Sequence, residues 1–135
     1  MEFLDTNVIL RYLTRDDPIK AERCFRLFQR VKNKEVQLST SESVLAEVVY
    51  VLSSRSLYHQ PRQNIRALML TIITLPYLKI PNRRAILRAL DLYASASMDF
   101  EDALSLAHMA RLKFTTILSY DEDFDGIKGI QRREP

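Results

Sequence analysis

The chain has 135 residues, 47% hydrophobic and 27% charged, with a net charge of +3. That length and balance fit one folded domain over residues 1–135 with its own core, and exclude a low-complexity or wholly disordered chain. A single cysteine, Cys24, excludes an intramolecular disulfide or a Cys-based zinc site, and no run of about eighteen apolar residues marks a membrane span. Met1 leads directly into a strand pattern with no basic-then-apolar leader, so a cytoplasmic protein with no membrane partner is expected. The mild positive balance allows a polyanionic partner without requiring one.

Residues 2–4 read as a short strand, and a helix starting at Thr6 and Asn7 carries Val8, Ile9, Tyr12 and Leu13. Pro18 opens a second helix, because proline's fixed φ suits a first turn. Cys24 falls inside it as a small core hydrophobe. Residues 36–38 look like a second strand, and Ser39-Thr40-Ser41-Glu42 has capping-box spacing before a helix that runs to about Arg55. Pro61 opens another helix, to about Thr74. Residues 78–80 form a short strand between Pro76 and Pro81, and Asn82 is placed to cap a helix bearing Ile86, Leu87, Leu90 and Tyr93. A further helix covers residues 100–112. Residues 115–118 are β-branched and apolar, as a buried parallel strand requires, and residues 127–130 suit a final edge strand. Strands alternating with helices imply an α/β fold, a mostly parallel central sheet of about five strands flanked by helices.

Four acids stand out against this background: Asp5, Glu47, Asp102 and Asp121 each interrupt an apolar or strand-like setting. Desolvating a carboxylate without a compensating charge is costly, and no Lys or Arg is comparably placed. A bound cation is the economical explanation, and hard oxygen ligands suit Mg²⁺ or Mn²⁺. In an open α/β sheet, ligands gather beyond the carboxyl ends of strands near a switch in strand order. Asp5 and Asp121 follow strands and face one crevice if those strands are neighbours, while Glu47 and Asp102 must reach it from helices. Glu47 is flanked on its helix by Val44 and Val51, and Asp102 lies in a first turn where the helix dipole favours ionisation.

Each acid also has a purely structural reading. Asp5 can cap the helix after it, Asp99 and Asp102 have N-cap and N3 spacing, Asp121 and Asp123 can form an Asx turn, and Glu47 can be a surface residue. Four such readings must hold together to remove the site, whereas one cation accounts for all. His59 and His108 lack partners at ligand spacing, and Gly126 and Gly129 are the only glycines, so no phosphate-cradling loop is present. Arg62 with Arg66, Arg84 with Arg88, and Arg132-Arg133 are either a solvated basic face or phosphate contacts.

The residues Phe3-Leu4-Asp5-Thr6-Asn7-Val8-Ile9-Leu10, Ser43-Val44-Leu45-Ala46-Glu47-Val48-Val49-Tyr50-Val51-Leu52, Asp102-Ala103-Leu104-Ser105-Leu106-Ala107 and Ser119-Tyr120-Asp121-Glu122-Asp123-Phe124 span nearly the whole chain. In order and spacing they resemble PIN-domain proteins, most closely the VapC-type toxins of toxin–antitoxin pairs. The resemblance implies that Asp5, Glu47, Asp102 and Asp121 form an acidic Mg²⁺ or Mn²⁺ site, with Thr6, Asn7 and Ser119 as supporting groups and Asp99 and Asp123 as further acids beside it. Ser119 stands where the family more often has Thr, which keeps the hydroxyl.

The implied activity is metal-dependent endoribonucleolytic hydrolysis of RNA. The implied partners are RNA, a VapB-type antitoxin and a second copy of the chain; the apolar Tyr12, Leu13, Phe25 and Phe28 on the early helices are either dimer contacts or core residues. Alternatives of the same fold are a PIN nuclease acting in RNA processing or on DNA, and an inactive PIN binding module.

Overall fold

Five strands of two or three residues and six helices alternate along residues 1–135, all of which the computed structural model describes. In chain order they are β1 (Glu2–Phe3), α1 (Thr6–Thr14), α2 (Pro18–Lys32), β2 (Leu38–Ser39), α3 (Glu42–Ser53), α4 (Arg62–Ile73), β3 (Leu78–Lys79), α5 (Arg83–Ala96), α6 (Phe100–Leu112), β4 (Thr116–Leu118) and β5 (Gln131–Arg133). A 3₁₀ turn, Glu122–Phe124, separates the last two strands. No helix is long and apolar enough to cross a membrane.

All the strands pair in parallel, as the alternation implies, but in two ladders rather than one central sheet: β1-β2-β3 and β4-β5. Strands this short make few ladder bonds, so cohesion comes from the helices. Val44, Leu45, Val48, Val49 and Leu52 are buried along α3, which touches α1, α4 and α6. Ile65, Met69, Ile72 and Ile73 of α4, Ile86 and Leu90 of α5, and Ala103 and Leu106 of α6 complete one core. Phe28 belongs to it, only 2% exposed and stacked on Tyr12 at 4.2 Å between ring centroids. It is therefore unavailable as a dimer contact, while Phe25 is exposed beneath the Arg15 guanidinium.

Several local expectations shift. Ser41, not Ser39, caps α3, its Oγ accepting from the Val44 N–H at 3.2 Å. Glu42 then falls one residue after the cap, too early to return to it, and its carboxylate meets His108 Nε2 at 2.9 Å. Asn82 sits at the start of α5 in a left-handed conformation (φ 52°) and makes no side-chain cap. Strand β2 begins where residues 36–38 end. β4 is largely exposed instead of buried, and it pairs only with β5. The final strand lies at Gln131–Arg133, not at residues 127–130, where Gly126 (φ 76°) and Gly129 (φ 81°) turn the chain. Left-handed backbone of this kind favours glycine and interrupts a strand.

Of the arginines at helical spacing, Arg62 and Arg66 are ties between helices, whereas Arg84 and Arg88 are exposed and make no ion pair. Arg62 lies 4.3 Å over the Tyr93 ring and donates to the carbonyls of Tyr93 (2.9 Å) and Met98. Arg66 pairs with Asp91 at 2.8 Å, so both join α4 to α5. Arg83 donates to the carbonyls of Ile73, Leu75 and Leu78, closing the end of α4 onto β3. Asp16, just past α1, accepts from the Tyr58 hydroxyl and from Arg11 at 2.8 Å.

Truncating Arg83 removes a charged donor from three carbonyls, of which that of Leu75 keeps the Leu78 N–H, and charged hydrogen bonds are worth about 1.5–3 kcal/mol. Arg83→Ala is expected to lower the urea midpoint by a stability loss of about 2 kcal/mol without changing the slope, with Arg83→Lys recovering little because one ammonium cannot fork across the same carbonyls. Tyr58 first, then Arg11, hold the Asp16 carboxyl down at about 2, against an ordinary 3.8. A folded-state value below the unfolded one gives stability that is present above 3.8 and lost as pH falls toward 2. NMR titration of Asp16 should show this low midpoint, and Tyr58→Phe should raise it.

Candidate active site

Two short stretches converge at one end of the fold. The first is the start of α6, where Asp99 occupies the N-cap position without making a side-chain cap, and Asp102 lies in the first turn. Phe100 and Ala103, buried on either side of Asp102 in sequence, fix the helix to the core and leave the carboxylate at the rim. The second is the loop after β4. Ser119 Oγ accepts from the Asp121 N–H at 2.9 Å, and Asp121 Oδ1 accepts from the Asp123 N–H at 2.9 Å. The Asx turn expected from sequence is therefore present, and buried Phe124 pins the 3₁₀ turn that follows.

Arg132 on β5 holds this loop. It donates to the Ser119 carbonyl (3.0 Å), to both carboxylate oxygens of Asp125 (2.8 and 3.2 Å) and to Glu134 (3.1 Å). Those carboxylates raise its already high pKa, Asp125 foremost. The guanidinium is thus occupied in positioning the loop and is not free for a phosphate.

Carboxylate oxygens of Asp102, Asp121 and Asp123 come within 4.8 Å of one another. None of the three forms an ion pair with Lys, Arg or His. Partial burial first, then the negative charges of Asp121, Asp99, Asp123 and Glu101, push the Asp102 pKa up. The helix dipole was expected to favour its ionised form; desolvation and neighbouring acids outweigh it.

Asp5 and Glu47 lie outside that tight trio. Asp5 occupies the N-cap position of α1, exposed, with no side-chain cap, so the capping explanation for this acid fails. The next residue, buried Thr6, donates from Oγ1 to Glu47 Oε2 at 2.7 Å. Thr6 therefore ties the Asp5 motif to α3. Glu47 is exposed rather than enclosed by Val44 and Val51, on a stripe with Ser43, Ala46 and Tyr50.

Two adjoining clefts between α3 and α6 relate these groups. One, about 440 Å³, is bordered by Asp99, Glu101 and Asp102; the other, about 450 Å³, by Glu42, Glu47 and Glu101. Glu101 borders both and escaped the sequence reading, where an acid in a helix's first turn looks like ordinary dipole compensation. Asn7 lines neither of these clefts but a third one, together with Arg11, Lys20 and Arg23.

The sequence profile of the PIN domain matches residues 3–130. The chain belongs to the PIN-domain family. A solved structure similar to this PIN domain is the Mycobacterium tuberculosis VapC20 toxin, described as cleaving the sarcin-ricin loop. It is 19% identical over 96% of this chain and 98% of that one, with a TM-score of 0.42. No curated protein matches.

The donor set is all oxygen, carboxylates with hydroxyl support, which fits a hard divalent cation. Without a cation, like charges about 4 Å apart repel by about 1 kcal/mol even in water. Asp102→Asn is accordingly expected to raise the melting temperature in chelator at neutral pH by about 4 °C, the shift that about 1 kcal/mol produces in a small domain. Because the Asp102 pKa is raised, its stabilising contribution is full below 3.8 and lost as pH rises through the raised value. The substitution should remove that dependence in a thermal-melt pH series.

Proposed function

We propose that this PIN domain is a Mg²⁺- or Mn²⁺-dependent endoribonuclease of the VapC toxin type. The observation that carries the reading is the unpaired trio of Asp102, Asp121 and Asp123, set at the end of β4 and the start of α6. Asp5 and Glu47, joined through Thr6, complete the ligand shell, and Asp99 borders it. A divalent cation held there supplies an acidified water and offsets charge on the phosphate in flight.

The chain's own residues do the rest. Asp102, Asp121 and Asp123 fix the line of attack on phosphorus. Thr6 aims Glu47, and Ser119 and Arg132 fix the orientation of Asp121. Water attack that expels the 3′ oxygen leaves a 5′-phosphate and a 3′-hydroxyl without using the substrate's 2′-OH as nucleophile. Discrimination in favour of RNA then comes from shape and from contacts to bases and 2′-OH groups. A cytoplasmic setting, a VapB-type antitoxin covering the acids and a homodimer accompany this reading.

Purified protein incubated with defined tRNA and rRNA and either metal should give discrete cuts bearing 5′-phosphates. EDTA, Asp5→Asn and Asp121→Asn should each abolish them. Thr6→Val keeps the shape and removes the donor to Glu47; losing such an orienting partner costs about 10- to 100-fold in metal affinity or activity. Calorimetric Mn²⁺ binding should register that loss. Folded protein that binds neither metal and cuts no RNA would overturn the proposal.

A further inference from the structure

The cleft between α1 and α2 has the opposite chemistry to the two acid-lined ones. It measures about 300 Å³ and is lined by Asn7, Val8, Arg11, Lys20, Arg23 and Cys24, with no carboxylate among them. Of the other basic residues on α2, Arg26 pairs with Glu22 at 3.0 Å and Arg30 with Glu35 at 3.8 Å, and only Lys32 at the helix end has no ion pair. Lys20 and Arg23 have no ion pair, and both are exposed. Arg11 is partly neutralised by Asp16, which holds its guanidinium in place at the cleft wall. Fixed and free cations, with an amide donor from Asn7, therefore converge on one concave surface.

We propose that this cleft is a subsite for backbone phosphates of RNA beside the scissile bond. The inference rests on the nuclease reading above for its choice of ligand. Continuity supplies the link, because α1 starts immediately after Asp5 and its own side chains, Asn7, Val8 and Arg11, form one wall of the cleft. From Asp5 to Arg11 the helix advances about 9 Å along its axis. A strand whose scissile phosphate meets Asp5 thus brings a phosphate one or two nucleotides away to Arg11 and the cleft it shares with Lys20 and Arg23. Guanidinium and ammonium groups bind phosphate oxygens through charge-assisted hydrogen bonds. The acid-lined clefts repel the backbone, so the polyanion's path on this side of the site runs along α1.

The test uses Lys20→Gln with Arg23→Gln, in the full chain. Binding of a fluorescent single-stranded RNA is measured in an Asp121→Asn background, so that cleavage does not intervene, over a series of salt concentrations. Each phosphate contact to a single strand contributes about 0.7 to the slope of log affinity against log salt. The double variant should lose about 1.4 of that slope and at least about tenfold in affinity at low salt. With Asp121 intact, KM should rise while kcat stays within about twofold.

One neutral methylphosphonate linkage, one or two nucleotides from the cut, should reproduce the loss and add nothing further to the double variant. An unchanged slope, a neutral-linkage effect independent of position, or no RNA binding by the parent chain would overturn the assignment. Equal loss of polyglutamate binding would also overturn it, in favour of an acidic protein partner. Failure of the nuclease reading shows separately, as absence of metal-dependent cleavage by the unsubstituted protein.

Discussion

Holding carboxylates together against their own repulsion is the constraint to which this end of the fold answers. Asp102, Asp121 and Asp123 approach within 4.8 Å with no cationic side chain among them. Nothing in their own chemistry favours that arrangement. It persists because each acid is attached to an anchored element: Asp102 to a helix held by Phe100 and Ala103, and the other two to a loop held by Phe124, Ser119 and the Arg132 fork. Backbone N–H groups engage only part of the oxygens, which leaves lone pairs directed outward. The cation proposed above would offset that cost.

The positive charges are divided by role. Arg62, Arg83 and Arg132 satisfy carbonyls or acids within the fold, at sites where a planar, many-donor guanidinium reaches several acceptors at once, and Arg66 pairs with Asp91. Lys20 and Arg23 are left to solvent beside the α1 wall. Net charge conceals this division. A value of +3 says little about binding until it is known which cations are already engaged.

Much of the fold was legible where a residue's local chemistry decides its state. Pro18 opens α2, and α6 runs from Phe100 to Leu112 as its periodicity requires. Legibility failed where partners distant in sequence decide. Residues 127–130 offer an apolar pair that resembles a strand, yet the ladder forms on polar Gln131–Arg133, because backbone bonding to β4 needs register and not hydrophobicity. The glycine at 129 was a turn signal that the pattern of isoleucines masked. Ser39 and Ser41 are equivalent as cap candidates until β2 claims Ser39. In the site, sequence supplied the acids and their order. It could not supply distances, so it treated Asp5, Glu47, Asp102 and Asp121 as one equal set, where the fold distinguishes a tight trio from a pair of outlying acids bridged by Thr6. Asp123 belongs to the trio because the Asx turn brings it back, a consequence of one hydrogen bond from its own N–H to the Asp121 carboxylate.

The division of the strands into two ladders also bears on cooperativity. Asp121 and Asp123 ride on a small unit, β4, the 3₁₀ turn and β5, whose ladder is not continuous with that of β1, β2 and β3. Asp102 and Glu47 ride on helices of the main core. Phe124 still ties the small unit to the common core, so opening it would separate the acids at the cost of withdrawing that ring, a sub-global event below the free energy of complete unfolding. Any ligand that spans the two halves is a clasp. It binds only the closed form, so its concentration sets how long amide hydrogens of β4 and β5 resist exchange.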